Sequence, residues 1–484
     1  MKSSYLFVPT VFAAIVIARS NFTSLLIIRN TTFAIVVNKN FAGIYGFPAY
    51  SKVVTRDWFL SVRDALTIMT QQRSIKYRTS VLGLTSIGHF VNDGNMWLIP
   101  GIILPVLNQV GVNYAIIGLL SALYAAVSAL ASPLVPMSIR WLGGHMRAMA
   151  LGMFLWALAI GLSAIGFLVH DLFLVYASVV LAGVGAAYYH PIGSALLSAT
   201  YGGSAGAALG INGAFGSLGR TLYPLIGSVL VFTGAVSAVY NLWILALITG
   251  VVGVSVFMYG IYRFDIPAYE RRGGKGDPTS STNALRASIM LIALLFLITL
   301  LRNTAGQGVQ TFLGIYINKV LGVKLGVSYG EILSILLASA IIGQPILGWL
   351  SDRVGRRLIA SLSTFAFAIL FIIFIYTGNL VVAFFAIMFL LSNFPLIMAV
   401  LGDLFPREQV SWATSIVWNG AVTGGNVLGS LITGLLAQYF VPIYGEVGAL
   451  EHALLIMMIL AFISGALWLA VPKPPKRTRV PLFG

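Results

Sequence analysis

The strongest candidate for chemistry is a short polar stretch inside an otherwise apolar segment. Asp93 lies in the sequence Gly-His-Phe-Val-Asn-Asp-Gly-Asn, which spans residues 88–95. It is the only acidic residue that we place deep in a membrane segment, where an ionisable side chain is costly and is a functional candidate by default. His89 precedes it by four residues, so both side chains share one helix face. We expect Asp93 and His89 to carry protons; the alternative is a permanent structural ion pair.

Two arginines are the matching cations inside the apolar segments. Arg220 and Arg302 both fall near mid-depth, as Asp93 does, when positions are counted from the predicted helix starts. If all three face one cavity, the excess positive charge suits an anionic substrate, which a guanidinium binds through two parallel hydrogen bonds. The alternative is that Arg220 neutralises Asp93 while Arg302 binds backbone carbonyls or water.

Further polar side chains accompany these charges. His190 precedes Pro191, which interrupts the hydrogen-bond ladder of a helix. A histidine at this place can shuttle protons or bind substrate, and a packed, hydrogen-bonded histidine is an equally good interpretation. We also expect substrate contacts from amide side chains near the charges or at comparable places in other helices, namely Asn92, Asn303, Gln307, Gln310, Asn393 and Asn419.

The composition places most of the chain in lipid. Its 484 residues are 58% hydrophobic and 9% charged, against roughly 25% charged in soluble domains. From Val81 onward, apolar stretches of about spanning length alternate with short polar breaks. The pattern predicts twelve transmembrane helices, near 81–107, 114–139, 147–168, 172–198, 206–232, 238–261, 288–317, 328–350, 358–377, 380–402, 410–438 and 450–470.

A long polar loop divides the chain into two similar halves. Asn212-Gly-Ala in the fifth predicted helix corresponds to Asn419-Gly-Ala in the eleventh, about half a chain later. We therefore predict an all-α membrane protein with two pseudo-symmetric six-helix bundles around a central cavity. The predicted parts are a poorly ordered or interfacial N-terminal extension (1–75), a first bundle (76–262), a linker (263–286), a second bundle (287–470) and a basic tail (471–484).

The basic residues are distributed unequally across the membrane. Most of the 29 Lys and Arg fall in loops on one side, and the opposite side has only Lys319 and Lys324. This pattern predicts that both termini are cytoplasmic and that the protein is in the plasma membrane. It also argues that the net charge of +16 serves membrane orientation and not nucleic-acid binding. We expect a monomer whose partners are lipid, a small-molecule substrate and protons.

Several classes of function are not expected. Cysteine is absent, which excludes disulfides and thiolate metal sites. No Gly-x-x-x-x-Gly-Lys-Ser/Thr sequence is present, so ATP-driven pumping is not predicted. No nucleophile–base pair suggests an enzyme. We expect no metal and no cofactor.

One loop carries a dense pattern of charge. Residues 348–357 read Gly-Trp-Leu-Ser-Asp-Arg-Val-Gly-Arg-Arg, which predicts a tight turn between two helices with its arginines at the cytoplasmic surface. Asp352 can pair with these arginines or face a helix N-terminus. The spacing resembles the loop signature of the major facilitator superfamily of transporters. That resemblance implies a gating loop made of Gly348, Asp352, Arg353, Gly355, Arg356 and Arg357.

Three other stretches narrow the resemblance. Residues 89–93, Tyr-His-Pro at 189–191 and the stretch 216–227 are similar to the fosmidomycin-resistance-type efflux branch. The fifth helix resembles the Gly-Pro motif of drug/proton antiporters, although ordinary small-residue packing also explains its Gly210, Gly219, Pro224 and Gly227. The chain departs from the branch at Ile192, where an acidic residue is expected, and at Arg220.

The resemblance implies a secondary transporter that works by alternating access. Our first hypothesis is proton-coupled export of a small organic anion or amphiphilic drug, with protons carried by Asp93, His89 and His190. The second is proton-coupled or facilitated uptake of an anionic metabolite. The third is a transporter-shaped sensor or scaffold that moves nothing, with its intramembrane charges locked in pairs.

Overall fold

The computed structural model describes residues 14–19, 22–29, 32–36, 56–201, 205–232, 238–262, 282–405 and 407–473. The chain divides into two compact units, Met1–Tyr77 and Arg78–Gly484. Most of the predicted linker and most of the basic tail, residues 263–281 and 474–484, lie outside the described residues.

The first unit contains a small antiparallel sheet. Its strands β1 (Ala14–Arg19), β2 (Phe22–Arg29) and β3 (Thr32–Val36) pair in sequence order, and Ala14 lies opposite Ile27. That residues 1–75 form a poorly ordered or interfacial extension stays a prediction. The two apolar runs of this region are too short to span a membrane and are rich in isoleucine and valine, which favour strands.

Six helices form the first half of the membrane region. In lipid, every backbone polar group must be satisfied within its own segment, so apolar stretches of this length become helices. The helix α2 begins where the Asn113 side chain accepts a hydrogen bond from the backbone N–H of Ile116. The helices are α1 (Arg56–Leu98, extended by a π-helical turn Ile99–Ile103 and by Leu104–Gln109), α2 (Tyr114–Ala131, continued by a 3-10 turn Ser132–Leu134 and by Val135–Leu142), α3 (His145–Leu168), α4 (Leu172–Tyr201), α5 (Ala205–Phe232) and α6 (Leu242–Tyr262).

The second half repeats this arrangement. Its first helix also contains a π-helical turn near its end, at Tyr316–Val320, as α1 does at Ile99–Ile103. The helices are α7 (Thr282–Ile315), α8 (Val327–Val354), α9 (Arg356–Thr377), α10 (Leu380–Leu391 and, after a break, Phe394–Leu404), and a long run that comprises Arg407–Thr414, a π-helical turn Ser415–Gly420 and Ala421–Leu467.

The long final run contains two membrane spans. Among the described residues, 11 helical runs are long and apolar enough to cross a membrane, and Trp412–Ala470 has 59 residues. Its backbone leaves the helical conformation at Gly445, where φ is 71°, a value that favours glycine. We number the parts before and after Gly445 as α11 and α12. The prediction of twelve transmembrane helices is thereby confirmed.

The two halves are in contact at one end of the membrane region, which we call the closed end. The Tyr329 hydroxyl donates to the Gly101 carbonyl at 2.6 Å. The hydroxyls of Ser121, Thr311 and Ser430 lie 2.9–3.0 Å from one another. The other end, which carries the loops 140–147 and 353–357, we call the basic end. The closed end therefore fastens the first half to the second through hydrogen bonds among buried groups.

Candidate functional site

Asp93 lies at the centre of a cluster of three basic side chains. His89 Nε2 is 3.4 Å and Arg220 Nε is 3.6 Å from Asp93 Oδ2, and His190 Nε2 is 3.5 Å from Oδ1. The Asp93 side chain is 6% exposed, whereas that of His190 is 52% exposed. Open space therefore reaches a histidine that contacts a buried carboxylate. We call these four residues the Asp93 cluster; α1, α4 and α5 contribute to it.

The orientation of His89 is fixed by its other ring nitrogen. His89 Nδ1 is 2.9 Å from the backbone carbonyl oxygen of Asn212 and 2.8 Å from its Oδ1. A carbonyl oxygen can only accept, so Nδ1 carries the proton and donates it. Tyr189 holds the amide in place, because its hydroxyl accepts from Asn212 Nδ2 at 2.9 Å and donates to the Thr85 carbonyl at 2.6 Å. His89 Nε2 is consequently the nitrogen that faces Asp93.

Asn92 supports Asp93 from within the protein. Its Nδ2 donates to Asp93 Oδ1 at 3.0 Å, and its Oδ1 accepts from Trp156 Nε1 at 3.0 Å. Asn92 is fully buried. These contacts position Asp93, and the predicted contact of Asn92 with substrate stays a prediction.

Glycines bring α5 close enough to α1 to assemble the cluster. A Cβ at Gly216 would lie 2.5 Å from His89 Nε2, and a Cβ at Gly219 would collide with the Phe90 carbonyl. At Gly227, a Cβ would lie 3.1 Å from side-chain atoms of Leu98 and Ile102. Of the glycines that resemble an antiporter motif, Gly219 and Gly227 therefore serve close helix packing, whereas a Cβ at Gly210 would meet nothing within 4 Å.

Arg302 does not join the Asp93 cluster. It is 2% exposed, and its Nη2 donates to the carbonyls of Phe389 and Leu390 at 2.8 and 3.0 Å. These contacts are those of the alternative in which Arg302 binds backbone carbonyls, and its contact with substrate stays a prediction. The α10 helix breaks after Leu391, which frees carbonyls at its end, and Arg302 supplies donors for them.

The other predicted polar residues are in several environments. On α7, Asn303 donates to the Thr299 carbonyl at 2.7 Å and Gln310 to the Gly306 carbonyl at 3.3 Å, and both are half-buried, as is Gln307. Asn419 is exposed in the π-helical turn of α11, and Asn393 is buried at the α10 break. Their predicted contact with substrate stays a prediction.

Sequence reasoning missed the residues that hold the cluster in place. Asn212 was noticed only as part of the internal repeat, and Tyr189 only as the neighbour of His190. Trp156 gave no signal, because an apolar helix often contains a tryptophan. The polarity of Asn212 inside a predicted span was the one available clue.

Three members of the cluster have donor atoms suited to a metal ion. The nitrogen and oxygen atoms of His89, Asp93 and His190 lie within 4.8 Å of one another. Arg220 places a positive charge beside the same carboxylate, which opposes a divalent cation. We interpret the cluster as a carboxylate balanced by basic side chains, and the expectation of no metal stays a prediction.

The loop 348–357 forms an ion-pair network. Arg356 Nη2 is 3.1 Å from Asp352 Oδ1, and Arg356 Nε is 2.7 Å from Asp403 Oδ2. The Arg353 guanidinium lies 3.9 Å from the ring centre of Trp349. The pairing of Asp352 with an arginine is one of the two arrangements that the sequence suggests for this residue.

The remaining members of this loop shape its turn and fasten it to the end of α12. Arg357 Nη1 donates to the carbonyls of Leu469 and Val471, and Gly355, with φ of 120°, forms the turn between α8 and α9. A Cβ at Gly348 would meet nothing within 4 Å. The gating role of the loop stays a prediction.

Curated proteins with similar sequences are named multidrug resistance proteins. The multidrug resistance protein MdtG of Salmonella typhi is 32% identical over 139 residues, which cover 27% of this chain and 34% of that protein. MdtG of Escherichia fergusonii is 30% identical over 171 residues, 34% of this chain and 41% of that protein. The chain thus matches about a third to two fifths of the length of these relatives. Their names agree with the drug-antiporter branch.

Solved transporters share the fold at low identity. A bacterial homolog of the human lysosomal transporter Spinster, in an inward-facing and occupied conformation, has a TM-score of 0.67 at 15% identity and covers 82% of this chain and 97% of its own. A D-xylose-proton symporter has a TM-score of 0.63 at 13% identity, over 82% and 98% of the two chains. The sequence model of the Major Facilitator Superfamily matches residues 85–337 and 295–484. The chain has twelve membrane spans in two similar halves, and the family model matches most of its length. The chain therefore belongs to the Major Facilitator Superfamily, whose members are transporters and not enzymes.

Proposed function

We propose that the protein is a proton-coupled secondary transporter that exports a small organic anion or an amphiphilic drug. The observation that carries the proposal is the contact of one buried carboxylate, Asp93, with His89, His190 and Arg220 at 3.4–3.6 Å. Ionisable residues inside membrane segments characteristically form proton relays or line substrate pathways. The names of the MdtG relatives favour drugs and export over uptake.

The pair His89–Asp93 supplies a place for one exchangeable proton. Because Nδ1 of His89 donates to Asn212, a neutral ring turns the lone pair of Nε2 toward Asp93 Oδ2 at 3.4 Å. Two acceptors then face each other, and a proton on either of them removes the conflict. The more exposed His190 passes this proton to and from water in the cleft.

Substrate binding uses the polar walls of the two halves. Arg220 is 27% exposed and pairs with ionised Asp93, so a polar group of the substrate can bind this ion pair, and a proton on Asp93 breaks the pair and lowers the affinity for the substrate. We propose that the half-buried amides of α7, Asn303, Gln307 and Gln310, and the exposed Asn419 of α11 contact the substrate from the second half. Proton and substrate thereby exclude each other at the Asp93–Arg220 pair, which is how antiport couples them.

The closed end supports alternating access. The hydroxyl cluster of Ser121, Thr311 and Ser430 fastens the halves there, and space reaches His190 from elsewhere. We propose that the basic loops lie in the cytoplasm with both termini, that the protein acts as a monomer in the plasma membrane, and that the loop 348–357 controls the opening of the basic end.

Vesicles of defined pH test the coupling. Purified protein is reconstituted with internal pyranine, an acidic interior, and either benzoate or Hoechst 33342 outside. Antiport predicts entry of the probe together with loss of internal protons. Movement of probe and proton in the same direction would favour uptake by symport, and absence of flux for either probe at every gradient would favour the sensor or scaffold.

Two variants assign the coupling to the cluster. Asp93→Asn should lower proton-driven flux by about 100-fold while the midpoint of thermal unfolding changes little, because it removes the proton carrier and keeps the shape. Asn212→Leu should lower it by about tenfold by releasing the orientation of His89. A locked structural pair predicts the reverse for Asp93→Asn, namely unchanged flux or loss of the folded protein.

A further inference from the structure

The break in α10 gathers polar groups that have no partner. Arg302 Nε, Ser392 Oγ and Asn393 Nδ2 are buried and make no hydrogen bond, and neither does Asn393 Oδ1. Arg302 is 2%, Ser392 0% and Asn393 4% exposed. Buried polar groups in native proteins are nearly always hydrogen-bonded, so four such atoms around one helix break require an explanation.

The positive charge of Arg302 also has no negatively charged partner among the residues that the structure describes. Arg302 forms no ion pair with any carboxylate in the described part of the chain, and its Nη2 is held only by the carbonyls of Phe389 and Leu390. A buried cation without a counter-ion is destabilising by several kcal/mol. Three of the atoms without partners, Arg302 Nε, Ser392 Oγ and Asn393 Nδ2, can donate a hydrogen bond, and the Arg302 guanidinium carries a full positive charge. An anion can accept from these three donors and neutralise the charge, whereas Asn393 Oδ1 is an acceptor and gains no partner from it.

The backbone adds to the same preference. The second part of α10, Phe394–Leu404, begins directly after Asn393 and has 11 residues, so the positive end of its dipole lies at the break. Pro395 in its first turn has no N–H to offer the preceding helix, which keeps the two parts of α10 separate. The N–H groups of Leu396 and Ile397 donate to the Asn393 carbonyl, both at 3.1 Å, so this helix end contributes its dipole to anion binding and not a set of free donors.

We propose that Arg302, Ser392, Asn393 and the N-terminus of Phe394–Leu404 form a binding site for a small monovalent anion. The ligand is a halide or a carboxylate group, since three donors around a single charge suit a compact anion. The site is separate from the Asp93 cluster and does not rest on the proposed transport. Bound anion neutralises Arg302 and joins the two parts of α10, so it stabilises the second half.

Anion-dependent stability tests the site in the full-length protein. The midpoint of thermal unfolding is measured in nanodiscs while sodium chloride or sodium acetate replaces sodium methanesulfonate at constant ionic strength. We expect a saturable rise of about 2 °C for the wild type, which follows from binding to the folded state alone. A response to both anions identifies a site for free small anions, and a response to acetate without chloride identifies a carboxylate site.

Matched variants locate the effect. Arg302→Gln should abolish the rise, and Asn393→Ala, which keeps the guanidinium and its carbonyl contacts, should shift the half-saturating concentration upward by about tenfold. Arg147→Gln is the control, because Arg147 also donates to two backbone carbonyls but lies at the basic end. The proposal is overturned if the wild type shows no anion-specific rise. It is also overturned if Asn393→Ala responds as the wild type does, in the same way as the Arg147→Gln control. Either result would leave the transport proposal standing.

Discussion

The two halves of the protein treat their intramembrane arginines in opposite ways. In the first half, Arg220 is 27% exposed and lies 3.6 Å from a carboxylate. In the second half, Arg302 is 2% exposed and is held by two backbone carbonyls. An arginine beside a carboxylate and open space can exchange partners at small cost, whereas a buried arginine that leaves its two carbonyls deprives buried groups of their hydrogen bonds. Under the proposed function, the first half holds the groups that change protonation, and the second half offers a fixed frame.

The halves nevertheless share their helix packing. A Cβ at Gly219 of α5 would collide with the Phe90 carbonyl of α1, and a Cβ at Gly429 of α11 would collide with the Thr304 carbonyl of α7. The first and fifth helices of each half thus approach closely through a glycine. The two halves therefore share these glycine contacts but differ in the environment of their buried charges. Helix packing and the placement of charged side chains can thus diverge independently within one fold.

The shared packing predicts the largest effects on stability. Gly219→Ala and Gly429→Ala should each lower the free energy of unfolding by about 2 kcal/mol, because a methyl group against a carbonyl oxygen forces the helices apart. Gly213→Ala is the control in α5, since a Cβ there meets nothing within 4 Å. It should be neutral or slightly stabilising, as alanine favours helix. Unfolding in mixed micelles measures all three, and equal losses for Gly219→Ala and Gly213→Ala would contradict the close contact.

The contrast between the arginines predicts a smaller difference. Arg302→Met removes the donors of two buried carbonyls and should cost about 2 kcal/mol of unfolding free energy, part of which is recovered because an unbalanced charge is also removed. Arg220→Met should cost less than about 1 kcal/mol, because its side chain is partly exposed, and it should impair proton-driven flux. The same unfolding measurement compares them. A larger loss of stability for Arg220→Met would reverse the assignment of fixed and exchangeable arginine.

The sequence predicts the fold more fully than the site. Apolar length and loop charge are properties of the segment itself, so twelve spans follow from them; even the turn near residue 445 falls between two predicted helices. The approach of His190 and Arg220 to Asp93 could be suggested, because ionisable groups in lipid require partners. The capture of Arg302 by Phe389 and Leu390 could not, since it depends on where α10 breaks. Likewise, Asn212 and Trp156 act through contacts 123 and 64 positions away in sequence.

The loops at the basic end extend the comparison to the surface. In the second half, Arg356 lies 3.1 Å from Asp352 and 2.7 Å from Asp403, and its side chain is 28% exposed. In the first half, Arg147 donates to the carbonyls of Leu142 and Gly260. Salt screens charges that are partly exposed much more than it weakens a hydrogen bond to a carbonyl.

Salt dependence should therefore distinguish the two arginines, with the smallest effect of the series. Arg356→Gln should lower the free energy of unfolding by about 1 kcal/mol at low ionic strength, and the loss should shrink at about 1 M salt, because exposed ion pairs contribute little once screened. Arg147→Gln should cause a loss that salt leaves nearly unchanged. The measurement is denaturant unfolding at two concentrations of sodium methanesulfonate. This salt contains neither of the anions proposed to bind at the α10 break. If both variants lost the same stability at both concentrations, Arg356 would be acting through packing, and the charge difference between the two loops would have no energetic consequence.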